Sequence, residues 1–123
     1  MDITRAATAG RLLVQTYGAG GFKVAGARHQ GSILLFPDRI LPWPGAAMAD
    51  VTADRLRPVT DADPPVEVLI IGCGARHDRL APSLREALGN VAVDVMATGP
   101  ACRTYNVLAS EDRRVAAALI AID

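Results

Sequence analysis

Two apolar runs, each breaking into a glycine-containing loop, constrain this chain more than anything else in it. The first is Leu69-Ile70-Ile71-Gly72-Cys73-Gly74; the second is Met96-Ala97-Thr98-Gly99-Pro100-Ala101-Cys102-Arg103-Thr104-Tyr105-Asn106. Val66 to Ile71 is almost continuously apolar, the pattern of a strand covered on both faces. Pro82 to Leu88 reads as a helix: Leu80, Leu84, Ala87 and Leu88 share a face, proline suits the first turn and Gly89 the stop. Val91 to Met96 reads as a second strand, and Thr98 is placed to cap a helix running to about Ala109. Strand, helix and strand over about 30 residues form a βαβ unit with a right-handed crossover. Ligands of open α/β sheets bind beyond the carboxyl ends of parallel strands. The expectation is that the segments around Cys73 and Cys102 emerge side by side at one rim.

The N-terminal half has a different rhythm. Residues 1–10 read as a loose arm, and residues 11–123 as one α/β domain. Leu12 to Tyr17, Gly21 to Ala27 and Ser32 to Phe36 are short runs of β type, broken by Gly18-Ala19-Gly20 and His29-Gln30-Gly31, with spacings that suit antiparallel hairpins. Leu41-Pro42-Trp43-Pro44 belongs on an edge or in a loop, because proline donates no ladder hydrogen bond. Between residues 45 and 65, Thr52 to Leu56 fits one helical turn capped by Thr52 and stopped by Pro58. The end of the chain is ambiguous. Three consecutive alanines favour a helix by propensity, whereas Leu119-Ile120-Ala121-Ile122 favours a buried strand.

Composition excludes several classes. The formal charge is zero, so no global basic field draws in nucleic acid. Arginine supplies every cation but Lys23; guanidinium forks suit carboxylate and phosphate, and a GC-rich codon usage would give the same bias without a ligand. No run approaches the roughly 20 apolar residues of a membrane span. Two cysteines do not make a disulfide framework and no secretory signal is visible, so the expected location is the cytoplasm, with reduced thiols. Peripheral attachment at the inner membrane through a partner stays open.

The candidate pocket comprises Gly72, Cys73, Gly74, Arg76, Thr98, Cys102, Arg103, Thr104, Tyr105 and Asn106. Gly72 and Gly74 allow close backbone approach, but His77 stands where a dinucleotide fingerprint needs its third glycine. Cys102, near a helix N-terminus and beside Arg103, has the setting of a lowered thiol pKa; the competing reading is a small buried side chain. Two cysteines and one histidine are too few for a structural zinc site, so no metal and no cofactor is expected. Arg76, Arg79 and Arg103 could ring the crevice for a small anion or an acidic partner patch, or simply be solvated. Thr104, Tyr105 and Asn106 offer hydrogen bonds to a ligand or to backbone across the loop. Glu111 with Arg113 or Arg114 reads as a turn ion pair, and His29 as an exposed turn residue. Trp43, framed by prolines, either caps the core or, with Phe36, anchors a partner surface.

Taken together, several segments resemble the family of the mitochondrial NADH:ubiquinone oxidoreductase (complex I) assembly factor 3 and its bacterial and archaeal relatives of unknown function. The residues that carry this are Gly31-Ser32-Ile33-Leu34-Leu35-Phe36-Pro37, Trp43 and Ile71-Gly72-Cys73-Gly74. The most specific are Met96-Ala97-Thr98, Ala101-Cys102, Thr104-Tyr105-Asn106, Leu108, Glu111, Arg113-Arg114 and the apolar run Val115 to Ile120. The resemblance spans roughly residues 10–122. It implies a layered α/β domain with a mixed central sheet, helices packed on it, an N-terminal β-hairpin region and a final strand antiparallel to its neighbours. It also implies a non-catalytic protein-binding or assembly role, with partners among respiratory or inner-membrane complex subunits. Cys73 stands where the family pattern has threonine, so a role needing that hydroxyl does not carry over. The competing expectation is a small-anion or metabolite-binding protein, or an enzyme, using the crevice between residues 72–79 and 98–106.

Overall fold

The computed structural model describes residues 10–123; the expected N-terminal arm lies, apart from Gly10, outside the described residues. The chain opens with β1 (Val14–Gly18), β2 (Gly21–Val24) and β3 (Ala27–Gln30), an antiparallel ribbon in the order β1-β2-β3. The second turn is not where the sequence suggests. It falls at Ala25-Gly26, whose φ angles of 51 and 81 both lie in the left-handed region, as a two-residue hairpin turn requires. An alanine in that conformation carries no sequence signal, so the break reads as His29-Gln30-Gly31. His29 and Gln30 are instead paired in β3, and His29 is half-buried.

Five strands form the central sheet: β4 (Ile33–Phe36), β5 (Arg39–Pro42), β6 (Val68–Gly72), β7 (Ala92–Met96) and β8 (Val115–Leu119), in the order β5-β4-β8-β6-β7. Pro42 lies on the edge strand, as its missing donor demands. The helices are α1 (Arg57–Thr60), α2 (Pro82–Ala87) and α3 (Thr98–Ser110). Thr52 does cap a turn, its Oγ1 accepting from the Arg55 N–H at 3.2 Å. Pro58 does not stop that turn; it sits in the first turn of α1, where its absent N–H is no loss.

The ambiguous C-terminal segment is a strand at the centre of the sheet. It is antiparallel to β4 and parallel to β6, so the expected antiparallel pairing holds on one side only. The reason is topological: β6 and β7 run parallel, α3 carries the chain back to their starting end, and the next strand leaves in their direction. The alanine run becomes a strand because both sheet faces are covered there. Val115, Ala117 and Leu119 enter a first core with Ile33, Leu35, Ile70, Ala101, Tyr105 and Phe22. Ala116, Ala118 and Ile120 enter a second with Leu34, Leu69, Ile71, Leu84 and Trp43. Burial on both faces outweighs a helix propensity worth a few tenths of a kcal/mol per residue, about 0.5 at most.

Candidate functional site

At the carboxyl ends of β6 and β7 the two glycine-containing segments do meet. The Cys73 N–H donates to the Met96 carbonyl at 2.9 Å, and the Thr98 N–H donates to the Gly74 carbonyl at 2.9 Å. The Thr98 hydroxyl accepts from the Gly74 N–H at 3.0 Å and donates to the Ile120 carbonyl at 2.7 Å. Thr98 is therefore not the expected cap; it is the first residue of α3, fully buried, and it ties the β6 exit to the end of β8. Gly72 serves packing. A Cβ there would lie 3.0 Å from Leu119 Cδ2 and 3.1 Å from Thr98 Cα. At Gly99 a Cβ would lie 2.8 Å from the Tyr17 hydroxyl. The throat of the expected crevice is filled by the protein itself.

Tyr105 and Asn106 also turn inward, whereas Arg103 is exposed. Asn106 Oδ1 accepts from the Val14 N–H at 2.9 Å while its Nδ2 donates to the Val14 carbonyl at 2.9 Å. The Tyr105 hydroxyl donates to the Leu12 carbonyl at 2.9 Å. Together they clamp the ribbon onto α3, a side chain supplying the pairing that a neighbouring strand would otherwise give. The Thr104 hydroxyl meets Met96 Sδ at 3.4 Å, and Arg103 donates to the Tyr17 hydroxyl at 3.3 Å.

Cys102 is fully buried, and that burial pushes its thiol up to about 12, with Arg103 opposing it only in part. Burial likewise raises the Tyr105 phenol. Neither group is poised to ionise near neutrality, so the activated-thiol reading of Cys102 does not stand. Cys73 is held in its own loop, donating to the Arg76 carbonyl at 3.3 Å and accepting from the Asp78 N–H at 3.2 Å. It continues the alternation of Leu69 and Ile71, which face the second core, whereas Cys102 belongs to the first. The segments share a rim; Cys102 lies in the first core, Cys73 is held in its own loop, and both cysteines are free. Arg76, His77 and Arg79 are exposed on the loop beyond.

Trp43 and Phe36 do not form an exposed anchor. Trp43 is 4% exposed and Phe36 2%. Gly45 lets the chain fold over the indole, since a Cβ there would sit 2.6 Å from the ring. Among the described residues the indole Nε1 has no hydrogen-bond partner.

An open cleft of about 500 Å³ lies at the opposite end of the sheet, where β4 ends and β6 and β8 begin. Its floor is Phe36, Val66, Ala109 and Val115, and its rim is charged. Arg11 pairs with Asp112, and Arg39 with Asp38 at 3.1 Å. Arg39 also lies 3.8 Å from the centroid of the Phe36 ring. Arg113 and Arg114 share Glu67 at 3.8 and 3.9 Å, so among the described residues the expected turn ion pair with Glu111 does not form. The family-pattern residues Phe36-Pro37, Arg113-Arg114 and Val115 line this cleft, which is assembled from the β4–β5 turn, the Ala62–Pro64 segment and the α3–β8 turn. A charged rim over an apolar floor was legible only in the presence of Arg113-Arg114 and Asp38-Arg39, which any solvated turn would share. Among the described residues no group of three or more His, Cys, Asp or Glu could hold a metal, and no helix is long and apolar enough to cross a membrane.

Fold and site thus define a layered α/β domain whose residues 72–74 and 98–106 are tied together internally and which has an open cleft at the opposite end of the sheet. The chain belongs to the family described as "Protein of unknown function (DUF498/DUF598)", which matches residues 14–120. It is 35% identical over 111 residues to NADH dehydrogenase (ubiquinone) 1 alpha subcomplex assembly factor 3 of Xenopus tropicalis, a match covering 89% of this chain and 61% of the relative. The chain therefore spans about three fifths of that relative's length. An uncharacterized protein of Rhodobacter capsulatus is 40% identical over 115 residues, covering 91% of this chain and 86% of that one. A Bartonella henselae crystal structure described as an outer membrane protein is 40% identical with a TM-score of 0.83, covering 93% of this chain and 98% of that one.

Proposed function

We propose that this protein is a non-catalytic binding factor that assists assembly of a respiratory or other inner-membrane complex, working from the cytoplasmic side through contact with a partner. The similarity to a named complex I assembly factor across nearly all of this chain carries the reading. The chemistry of the rim agrees with it: Thr98, Tyr105 and Asn106 are committed to internal hydrogen bonds, and the Cys102 thiol is held protonated by burial. Affinity capture of the tagged protein from native membranes and cytosol is expected to recover subunits of an NADH dehydrogenase or a related inner-membrane complex. Deletion of the gene is expected to lower the activity of that complex. No such subunits, with full respiratory activity in the deletion strain, would overturn the assignment.

A second reading, a small-ligand binder, is favoured by the 500 Å³ cleft, a size typical of small-molecule sites. It predicts a ligand-dependent rise in melting temperature that Arg114→Ala diminishes and Arg76→Ala leaves unchanged.

A further inference from the structure

The ribbon β1–β3 sets two cations side by side in a stretch of chain without acidic residues. From Gly10 to Pro37 there is no Asp or Glu, while Arg11, Lys23 and Arg28 are cationic. Arg11 is paired with Asp112, outside the ribbon. Lys23 and Arg28 stand directly opposite each other across β2 and β3, on the exposed face away from Phe22 and Val24. Like charges in that position are destabilising. Arg39, Arg55, Arg57, Arg113 and Arg114 each have a carboxylate partner. Lys23 makes no side-chain hydrogen bond or ion pair among the described residues, and Arg28 contacts only neutral groups: the Gly18 and Ala19 carbonyls and Gln30. Asp123 meets the Gly18 end through its backbone and forms no ion pair with Arg28 among the described residues.

The same ribbon has an open edge. Among the described residues β3 pairs only with β2. In a two-residue hairpin the hydrogen-bonded and non-bonded pairs alternate outward from Val24–Ala27, so the backbone groups of Arg28 and Gln30 point to the open side. Neither proline nor a bulge blunts that edge.

We propose that an acidic, extended segment of a partner protein adds as a fourth strand along β3, with its carboxylates over Lys23 and Arg28. Backbone pairing supplies the docking, and charge complementarity selects the partner. The exposed face favours a protein over other polyanions. It has no aromatic platform for bases, since Phe22 is buried in the first core and Tyr17 packs against it, and no large apolar side chain to enter a bilayer. This inference rests on the protein-binding reading but names a surface and a partner chemistry that the reading leaves unspecified.

The test uses the full chain, with an acetylated peptide of five Thr-Glu repeats and its Thr-Lys counterpart, followed by backbone amide NMR. Binding of the acidic peptide alone is expected, with the largest shifts and new exchange protection at Arg28 and Gln30. Lys23→Glu is expected to weaken it by about tenfold or more, as loss of a close charge pair does. Lys23→Glu with Arg28→Glu is expected to transfer binding to the Thr-Lys peptide. No binding, shifts centred elsewhere, or an affinity untouched by Lys23→Glu would overturn the proposal. So would tighter binding of oligothymidylate or of vesicles containing anionic lipid. Because the Lys23 side chain makes no hydrogen bond or ion pair among the described residues, that variant is expected to keep the fold, and it alone decides the matter if the double variant unfolds. A failure here with respiratory subunits still captured would refute the surface and leave the assembly reading standing.

Discussion

The two ends of the central sheet carry opposite lessons. The end where β6 and β7 finish is dense with glycine, threonine, cysteine, tyrosine and asparagine, and it is closed. The end where β6 and β8 begin is built from turn residues, Phe36-Pro37 and Arg113-Arg114 of the family pattern among them, and it is open. Polar motif residues at strand exits need not face a ligand. Here they join three separated pieces of chain: Gly74 and Ile120 through Thr98, and the ribbon through Tyr105 and Asn106. The cleft is a gap between turns, set by the paths of the backbone.

If that contrast is right, substitutions at the closed end act on stability. The largest effect is expected for Asn106→Leu, which leaves both backbone groups of Val14 buried without partners. A loss of about 3 kcal/mol should appear in urea unfolding. Amide exchange should show β1 opening before the central sheet. A loss below about 0.5 kcal/mol would break the contrast, because it would mean the clamp is dispensable.

The buried Cys102 thiol gives the next largest effect. Its folded pKa is raised from 9.0 to about 12, so the native state holds a proton that the unfolded chain releases. The contribution of this thiol to stability should be constant below about pH 9 and then fall by about 1.4 kcal/mol per pH unit until near pH 12. Cys102→Ala should remove that slope, and Tyr105, raised in the same direction, adds to the fall above its own unfolded pKa. Rapid alkylation of Cys102 in the native protein at pH 8 would contradict the closed rim.

Tyr105→Phe removes one hydrogen bond to the Leu12 carbonyl and should cost about 1 kcal/mol, since the ring still fills its place. The smallest effect is expected at the open end. Arg114 is half-exposed and its ion pair is long, so Arg114→Ala should change stability by no more than about 0.5 kcal/mol. A much larger loss would mean that the cleft rim is itself structural, and the difference between the two ends would vanish.

Much of the fold was legible because the chemistry of each segment allows few alternatives. The unbroken apolar run of β6, the proline start and Gly89 stop of α2, and edge proline Pro42 all read correctly from residue type and spacing, although Ala87, expected on the apolar face of α2, is exposed. The ribbon turn was missed because Ala25 adopts a left-handed φ that no alanine advertises. The direction of β8 was missed on one side because parallel pairing with β6 follows from the path of α3, not from any residue in β8.

The sequence by itself determined that the apolar run of β6 is buried and that the segments carrying Gly72 and Thr98 leave neighbouring strands, because burial patterns and the handed crossover are local and short-range. Only the tertiary structure decided which face each side chain takes and where space remains. It turned Asn106 to Val14 across 92 positions and put Cys73 and Cys102 into different surroundings. It also left the opening at the far end of the sheet. Those outcomes depend on how three layers pack, and a hydrogen bond or a void between distant segments has no counterpart in either segment read alone.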